Sequence, residues 1–397
     1  MTENTFIDLA EEHSLHTYNK FPIVIEKGEG VYVYDEKGNK YLDFAAGIAV
    51  NALGYSNEKF KNAVKEQIDK ICHTSNLYYH TCAGAAAEAL TQASKMDKVF
   101  FTNSGAEAIE GALKAARKYA YTKKSGRYEF IAMEEAFHGR TLGALSVTGH
   151  ASYREPFEPL LGGVKFAKYN DFANVKEQVT EKTCAIIMEP LQGEGGVFPA
   201  DKKFLEDVRK LCDENDILLI FDEIQCGMCR TGAMFAWQSY GVKPDIMTMA
   251  KAIGNGIPVG AFAMTQKVAE VSLVPGDHGT TYGGNPLACA AVKAVTQIVK
   301  EEKLLEHVAE IAVYFEAKLD ALVEKYSFIT ARRGKGLIQG LEIEKPLSEV
   351  TVSALKKGLL VISAGINVLR FVPPLVIEKA HIDEMTTILE SVFEEIK

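Results

Sequence analysis

Three positions in the chain end an apolar run with a group able to do chemistry. Asp222 directly follows Ile217-Leu-Leu-Ile-Phe, which places its carboxylate at the end of a buried strand. An unpaired charge there is costly, so Asp222 requires a cationic or protonated partner. Lys251 follows the apolar stretch at 245–249 and precedes Gly254-Asn-Gly-Ile-Pro. In apolar surroundings an ammonium loses hydration, its pKa falls, and the neutral amine becomes able to condense with a carbonyl. Ser104-Gly105-Ala106 separates Lys98-Val-Phe-Phe-Thr from an Ala-rich helical pattern. A helix start of that kind offers free N–H groups and a favourable dipole to a phosphate.

Each feature has an ordinary explanation when taken singly: an N-cap, a strand-end salt bridge, a surface lysine. Taken together, a phosphate seat, a carboxylate and an amine on neighbouring strand ends match what pyridoxal 5'-phosphate (PLP) asks of a protein. The amine holds the aldehyde, and the carboxylate keeps the ring nitrogen protonated.

The elements that must position these groups are legible as alternating apolar runs and helical patterns. Strands are expected at 98–102, 129–133, 184–188, 217–221 and 245–249. Helical spacing follows Ala106 through Ile109, Leu113, Ala116 and Ala120. Asn285-Pro286 reads as the N-cap and first-turn proline of a further helix. Such alternation predicts an α/β domain with a mostly parallel sheet, whose ligands sit beyond the carboxyl ends of the strands. Val31-Tyr-Val-Tyr and Tyr41-Leu-Asp-Phe flank a turn and predict short N-terminal strands. Beyond about residue 305 the pattern changes to helix, short strands and helix, with 335–343 as one strand. The expected division is an N-terminal segment (1–50) packing with a small α+β domain (305–397), and a large domain (51–304).

Composition narrows the function classes. With 44 Lys+Arg against 53 Asp+Glu, the net charge of -9 opposes a phosphate backbone, so nucleic acid is an unpromising partner. The N-terminus has neither a basic n-region nor an apolar h-region, and no apolar run is long enough to span a bilayer. Seven scattered cysteines do not form a secreted disulfide framework, which favours the cytoplasm. Cys226 and Cys229 make a lone C-x-x-C. Without a second pair, or histidines at ligand spacing, they read as thiols in a loop after a strand, and no metal is expected.

Over nearly its whole length the chain resembles the class III aminotransferases of PLP fold type I. The motifs that carry the resemblance are Asn103-Ser-Gly-Ala-Glu-Ala, Phe137-His-Gly-Arg-Thr-Leu-Gly, Glu189-Pro-Leu-Gln-Gly-Glu-Gly-Gly, Asp222-Glu-Ile-Gln, Lys251-Ala-Ile-Gly-Asn-Gly and His278-Gly-Thr-Thr-Tyr-Gly-Gly-Asn-Pro. Tyr41-Leu-Asp-Phe, Gly47-Ile-Ala-Val-Asn and His73-Thr-Ser-Asn-Leu-Tyr are most like members acting on acetylated ornithine.

The resemblance implies that Lys251 and Asp222 are catalytic. It places Ser104, Gly105, Ala106, Phe137, Asp222, Glu223, Ile224, Gln225, Lys251 and Thr281 around the cofactor. Phe137 would stack on the ring, Gln225 would bond its 3-oxygen, and Thr281 would reach the phosphate from a neighbouring subunit, which implies a homodimer. Arg140 would bind the donor's α-carboxylate and Arg370 that of glutamate or 2-oxoglutarate, with Glu194 pairing Arg370 in the donor half-reaction. Thr280 would touch substrate, and Tyr18 would line the entrance. Ala106 stands where the family often has Thr, and Cys226 and Cys229 where it usually has Ser/Thr and Gly. The same lysine and aspartate would also serve a PLP aminomutase, racemase or decarboxylase; an oxo-acid co-substrate is favoured by Arg140, Arg370 and Glu194 together.

Overall fold

The computed structural model describes residues 3–396. Its centre is a seven-stranded sheet in the order Lys98–Thr102, Gly260–Met264, Ile246–Met249, Leu218–Asp222, Thr183–Met188, Glu129–Met133 and Val164–Ala167. The Gly260–Met264 strand runs antiparallel to both neighbours, while the pairs from Ile246–Met249 to Val164–Ala167 are all parallel. A parallel strand buried on both faces must be apolar throughout. Leu218–Phe221 and Cys184–Met188 meet that demand, and both strands are buried at every position. The carboxyl ends of five strands consequently emerge together, carrying Ser104, the loop to Phe137, Glu189, Asp222 and Lys251.

Helix Gly105–Thr122 packs its Ala/Ile/Leu face on this sheet. Ser104 caps it, its side chain accepting the Glu107 N–H. The expected helix after Asn285 is present as Pro286–Glu301, with the Asn285 side chain accepting the Ala288 N–H. Small residues predominate on the buried side of that helix, which packs against Thr81–Ser94 and Glu58–Lys70.

Two four-stranded sheets lie outside the central one, along with a two-stranded ribbon of Leu191–Gln192 and Phe198–Pro199. In the first, Ile25–Glu29, Tyr32–Asp35 and Lys40–Asp43 are joined by Leu359–Leu360, which pairs in parallel with Lys40–Asp43. The second is antiparallel, in the order Ile329–Lys335, Ile338–Ile343, Val368–Phe371 and Ile362–Ala364. It corrects the expectation of one strand over 335–343. Gly336 has a φ of 65° and turns the chain between two strands, and a Cβ there would meet the Arg230 carbonyl. The apolar periodicity continued across the turn and concealed it. Among the described residues no helix is long and apolar enough to cross a membrane.

Candidate active site

At the carboxyl ends of the strands lies a cavity of about 420 Å³, within the size range of small-molecule sites. Lys251, Asp222, Gly105, Ala106, Phe137 and Arg140 all line it. Ser104, Ile224 and Gln225 also reach its wall.

Asp222 is the last residue of its strand and is buried. One carboxylate oxygen, Oδ2, lies 2.7 Å from His138 Nδ1. The other, Oδ1, accepts the Ile224 N–H at 3.0 Å and the Thr248 hydroxyl at 3.1 Å. Three donors against about four lone-pair sites leave room for one more donor from the cavity, the number a protonated ring nitrogen supplies. The hydrogen-bonding partner that the strand-end carboxylate requires is His138, inside Phe137-His-Gly-Arg.

Lys251 follows strand Ile246–Met249 and opens a short 3-10 turn, Lys251–Ile253. Its φ is 50°, an uncommon conformation for a residue with a side chain, of the kind held in place at functional sites by the surrounding structure. Its Nζ makes no hydrogen bond or ion pair among the described residues. Burial lowers its pKa, opposed by Glu194 and reinforced by Arg370. The neutral amine is thereby brought closer to physiological pH.

The helix start expected to seat a phosphate lies at the cavity wall. Because the first amides of a helix have no partner within it, Gly105 and Ala106 present their N–H groups at the cavity. The Ser104 hydroxyl is committed to its own cap. A Cβ on Gly105 would come within 2.8 Å of Ile224 Cδ1, so a larger residue there would have to displace the Ile224 side chain. Gly139, at φ 135°, similarly admits Ala106, whose Cβ would lie 2.9 Å from a Cβ at 139. The small residue at 106 fits this crowding.

Beside the cavity Arg370, buried on the Val368–Phe371 strand, forms a two-pronged pair with Glu194. Nη1 lies 2.7 Å from Oε1 and Nη2 3.1 Å from Oε2. Gln225 is drawn into this pair, accepting from Arg370 Nη1 at 3.0 Å and reaching Glu194 Oε1 at 3.4 Å. Burial raises the Glu194 pKa, but the charge and hydrogen bonds of Arg370, with Lys251 and Gln225, outweigh it and hold the carboxyl below its ordinary value.

Several expected site residues lie elsewhere. Glu223 does not face the cavity. Successive residues at a strand end point to opposite sides, and its carboxylate accepts the Ala236 and Trp237 N–H groups at 2.7 and 2.8 Å. Tyr18 is 75% exposed and outside the cavity lining. Thr280 also lies outside it, its hydroxyl engaged with Asn103 Nδ2 and the Gly283 N–H. Thr281 is exposed and does not line the chain's own cavity. Cys226 and Cys229 are buried free thiols in the loop after Asp222, as read.

Two further features escaped sequence reasoning. Glu189 lines the cavity, and its two oxygens accept the Phe137 and Gly193 N–H groups at 3.0 Å each, tying together the loops that carry Phe137 and Glu194. Burial pushes its pKa up, opposed by His138. Ala46, Gly47, Ile48 and Ala49 all have positive φ, a left-handed turn that delivers Val50 to the cavity wall. Such a turn costs roughly 1–2 kcal/mol per non-glycine residue, and no local pattern announces it.

Burial also pushes the Glu223 carboxyl up to about 7, against its two amide bonds. The folded protein therefore holds a proton that the unfolded chain has shed between about pH 4.3 and 7. Through that window this group's contribution to stability falls as pH rises, by up to about 4 kcal/mol, and levels off above it. Glu223→Gln cannot ionise. Its Tm relative to the native protein is expected to improve from pH 5 to about pH 7 and to level off by pH 8 in thermal melts, and a constant difference throughout would contradict the assignment.

The family model for class-III aminotransferases matches residues 14–393, and the chain belongs to that family. Among its relatives, an acetylornithine aminotransferase of Methanocaldococcus jannaschii is 48% identical over 399 residues, covering 100% of both chains. The solved acetylornithine aminotransferase of Elizabethkingia anophelis is 34% identical with a TM-score of 0.88, again covering 100% of both chains. An ornithine aminotransferase of Toxoplasma gondii, described with partial occupancy of PLP at its active site, superposes with a TM-score of 0.95. It is 32% identical and covers 100% of this chain and 95% of its own. The fold is that of the PLP-dependent transferases of fold type I.

Proposed function

We propose that the protein transfers the δ-amino group of N2-acetyl-L-ornithine to 2-oxoglutarate, giving N-acetyl-L-glutamate 5-semialdehyde and L-glutamate, a step of arginine biosynthesis. The observation that carries this reading is one cavity holding an unpaired lysine amine, a strand-end carboxylate and a helix N-terminus, with two arginines at its margin. Full-length identity to acetylornithine aminotransferases supports the choice of donor. The residues fit PLP: Asp222 has a lone-pair site to spare, and the amides of Gly105 and Ala106 are open. When bound, PLP supplies an aldehyde that condenses with amines and a ring that accepts electrons from the carbon beside the nitrogen.

The chain's own residues supply the rest. Gly105 and Ala106 would hold the phosphate through their amides, and Phe137 would pack against the ring. Asp222, oriented by His138 and Thr248, keeps the proton on the ring nitrogen. Lys251 Nζ, the amine that would hold the aldehyde, would also serve as the base that moves the proton at the donor's Cδ. Arg140 receives the donor's α-carboxylate on its planar fork. In this half of the cycle Glu194 covers Arg370, so no second carboxylate is called for. When 2-oxoglutarate enters, Glu194 turns aside and Arg370 takes its α-carboxylate.

A panel of donors tests the reading: acetylornithine is expected to give the highest kcat/KM among acetylornithine, ornithine, succinylornithine and 4-aminobutyrate. Preference for any other member would overturn the donor assignment. Arg370→Ala is expected to slow the 2-oxoglutarate half-reaction about 10²- to 10³-fold, the effect of losing a desolvated charge pair. The acetylornithine half should change by less than about threefold, and equal losses in single-turnover traces would contradict the assignment.

We also propose a homodimer with the site at the subunit interface, in a cytoplasmic setting. Leu77, Tyr78, Tyr79 and Tyr282 are large exposed apolar side chains near the Thr280–Thr281 loop, a surface suited to a second copy. All seven thiols are free, as a reducing compartment would keep them. Sedimentation at twice the 43.6 kDa chain mass is expected. A single-chain mass would contradict the dimer.

A further inference from the structure

Arg140 is exposed at the cavity, and among the described residues it is the only arginine that makes no hydrogen bond or ion pair. What holds it is aromatic. Its guanidinium carbon lies 3.8 Å from the centre of the Tyr153 ring and 5.5 Å from that of Phe137. Contact through the face of a guanidinium uses none of its N–H donors, because those radiate in the plane of the group. A guanidinium resting on aromatic rings in this way keeps its N–H fork available.

Tyr153 is itself firmly placed. It belongs to the single turn Ala151–Arg154, anchored at both ends. The Gly149 N–H bonds the Ala136 carbonyl at 2.7 Å, and His150 Nδ1 meets Glu135 Oε2 at 2.9 Å. At the other end Arg154 bonds the Thr148 carbonyl at 2.6 Å and covers the Phe166 ring at 3.9 Å. The His150 ring packs on Tyr153 with centroids 4.9 Å apart. The Tyr153 hydroxyl makes no hydrogen bond among the described residues, so the ring face is what the fold employs.

We propose that Tyr153 is a positioning residue for donor specificity, its ring holding the Arg140 fork in the orientation that grips the donor's α-carboxylate. The inference rests on the reading of Arg140 as receptor for that carboxylate, and adds the residue that makes the receptor rigid. Preorganisation of this kind lowers the cost of binding rather than the barrier of the chemical step.

The test uses the PLP-loaded enzyme and N-acetyl-L-norvaline, which keeps the α-carboxylate and acetyl group of the donor but has no amine to react. Tyr153→Leu is expected to weaken its binding in calorimetry about tenfold and to raise KM for acetylornithine similarly, with kcat and the KM for 2-oxoglutarate within twofold of native. Tyr153→Phe, which keeps the ring, is expected to match the native enzyme in all four. With N-acetylputrescine, the donor lacking its carboxylate, Tyr153→Leu and native should react alike. Equal binding of N-acetylnorvaline by Tyr153→Leu and native would overturn the proposal, as would an equal loss in Tyr153→Phe, which would assign the effect to the hydroxyl. A native enzyme that neither binds N-acetylnorvaline nor reacts with acetylornithine would instead remove the donor reading, and the inference with it.

Discussion

Lys251→Ala is expected to reduce transamination at least about 10⁴-fold, since it removes both the group that holds the aldehyde and the base that moves the proton. The fold should survive the change. Lys251 makes no hydrogen bond or ion pair among the described residues, and alanine inherits the same positive φ, so the apo protein's Tm should move by only a few degrees. Two readouts separate this result from misfolding. The variant should still take up PLP through Gly105, Ala106 and Asp222, but borohydride treatment should leave no cofactor covalently bound to protein. Added methylamine should recover a small part of the rate by standing in for the missing amine. Turnover within tenfold of native would be incompatible with the role assigned to Lys251.

Asp222→Asn is expected to cost about 10³-fold or more in kcat, in the range seen when a preorganised electrostatic partner is removed from a reacting centre. The substitution is nearly isosteric, and its side-chain oxygen can still accept from Ile224, Thr248 or His138. What it loses is the negative charge that keeps a proton on the ring nitrogen. Reconstitution with an N-methylated PLP, permanently cationic at that nitrogen, is therefore expected to restore part of the lost rate in Asp222→Asn and to help the native enzyme not at all. A loss that N-methylation leaves untouched would show that Asp222 acts through packing instead.

The residues of largest expected effect were those the sequence displayed most openly. Asp222 and Lys251 each end an apolar strand, and the penalty for burying charge makes such positions conspicuous without any structure. Ser104-Gly105-Ala106 was visible for a related reason, as the boundary between an apolar run and a helical pattern. Arg140, Glu194 and Arg370 were different. No local rule distinguishes them from surface charges, and only resemblance to a family singled them out; the pairing of Glu194 with Arg370 joins residues 176 positions apart. His138 and Glu189 were hidden because their importance lies in what they face across the cavity. Glu223 shows the converse case. Adjacent to Asp222 in a motif, it was grouped with the site, yet strand alternation turns it toward the Ala236 and Trp237 amides. The turn at Gly336 was missed because apolar residues continue on both sides of it, and the left-handed Ala46–Ala49 turn because its conformation is imposed from outside. Asp43 accepts the Ala45 and Ala46 amides and the Tyr55 hydroxyl there.

The most direct measurement is a half-reaction followed by visible absorption. The purified PLP-loaded protein is expected to be yellow. With acetylornithine and no oxo acid, its visible band should disappear while one equivalent of N-acetylglutamate 5-semialdehyde is released per site. Subsequent addition of 2-oxoglutarate should restore the band and yield one equivalent of glutamate. A band indifferent to acetylornithine, or lost without formation of the semialdehyde, would contradict the assignment.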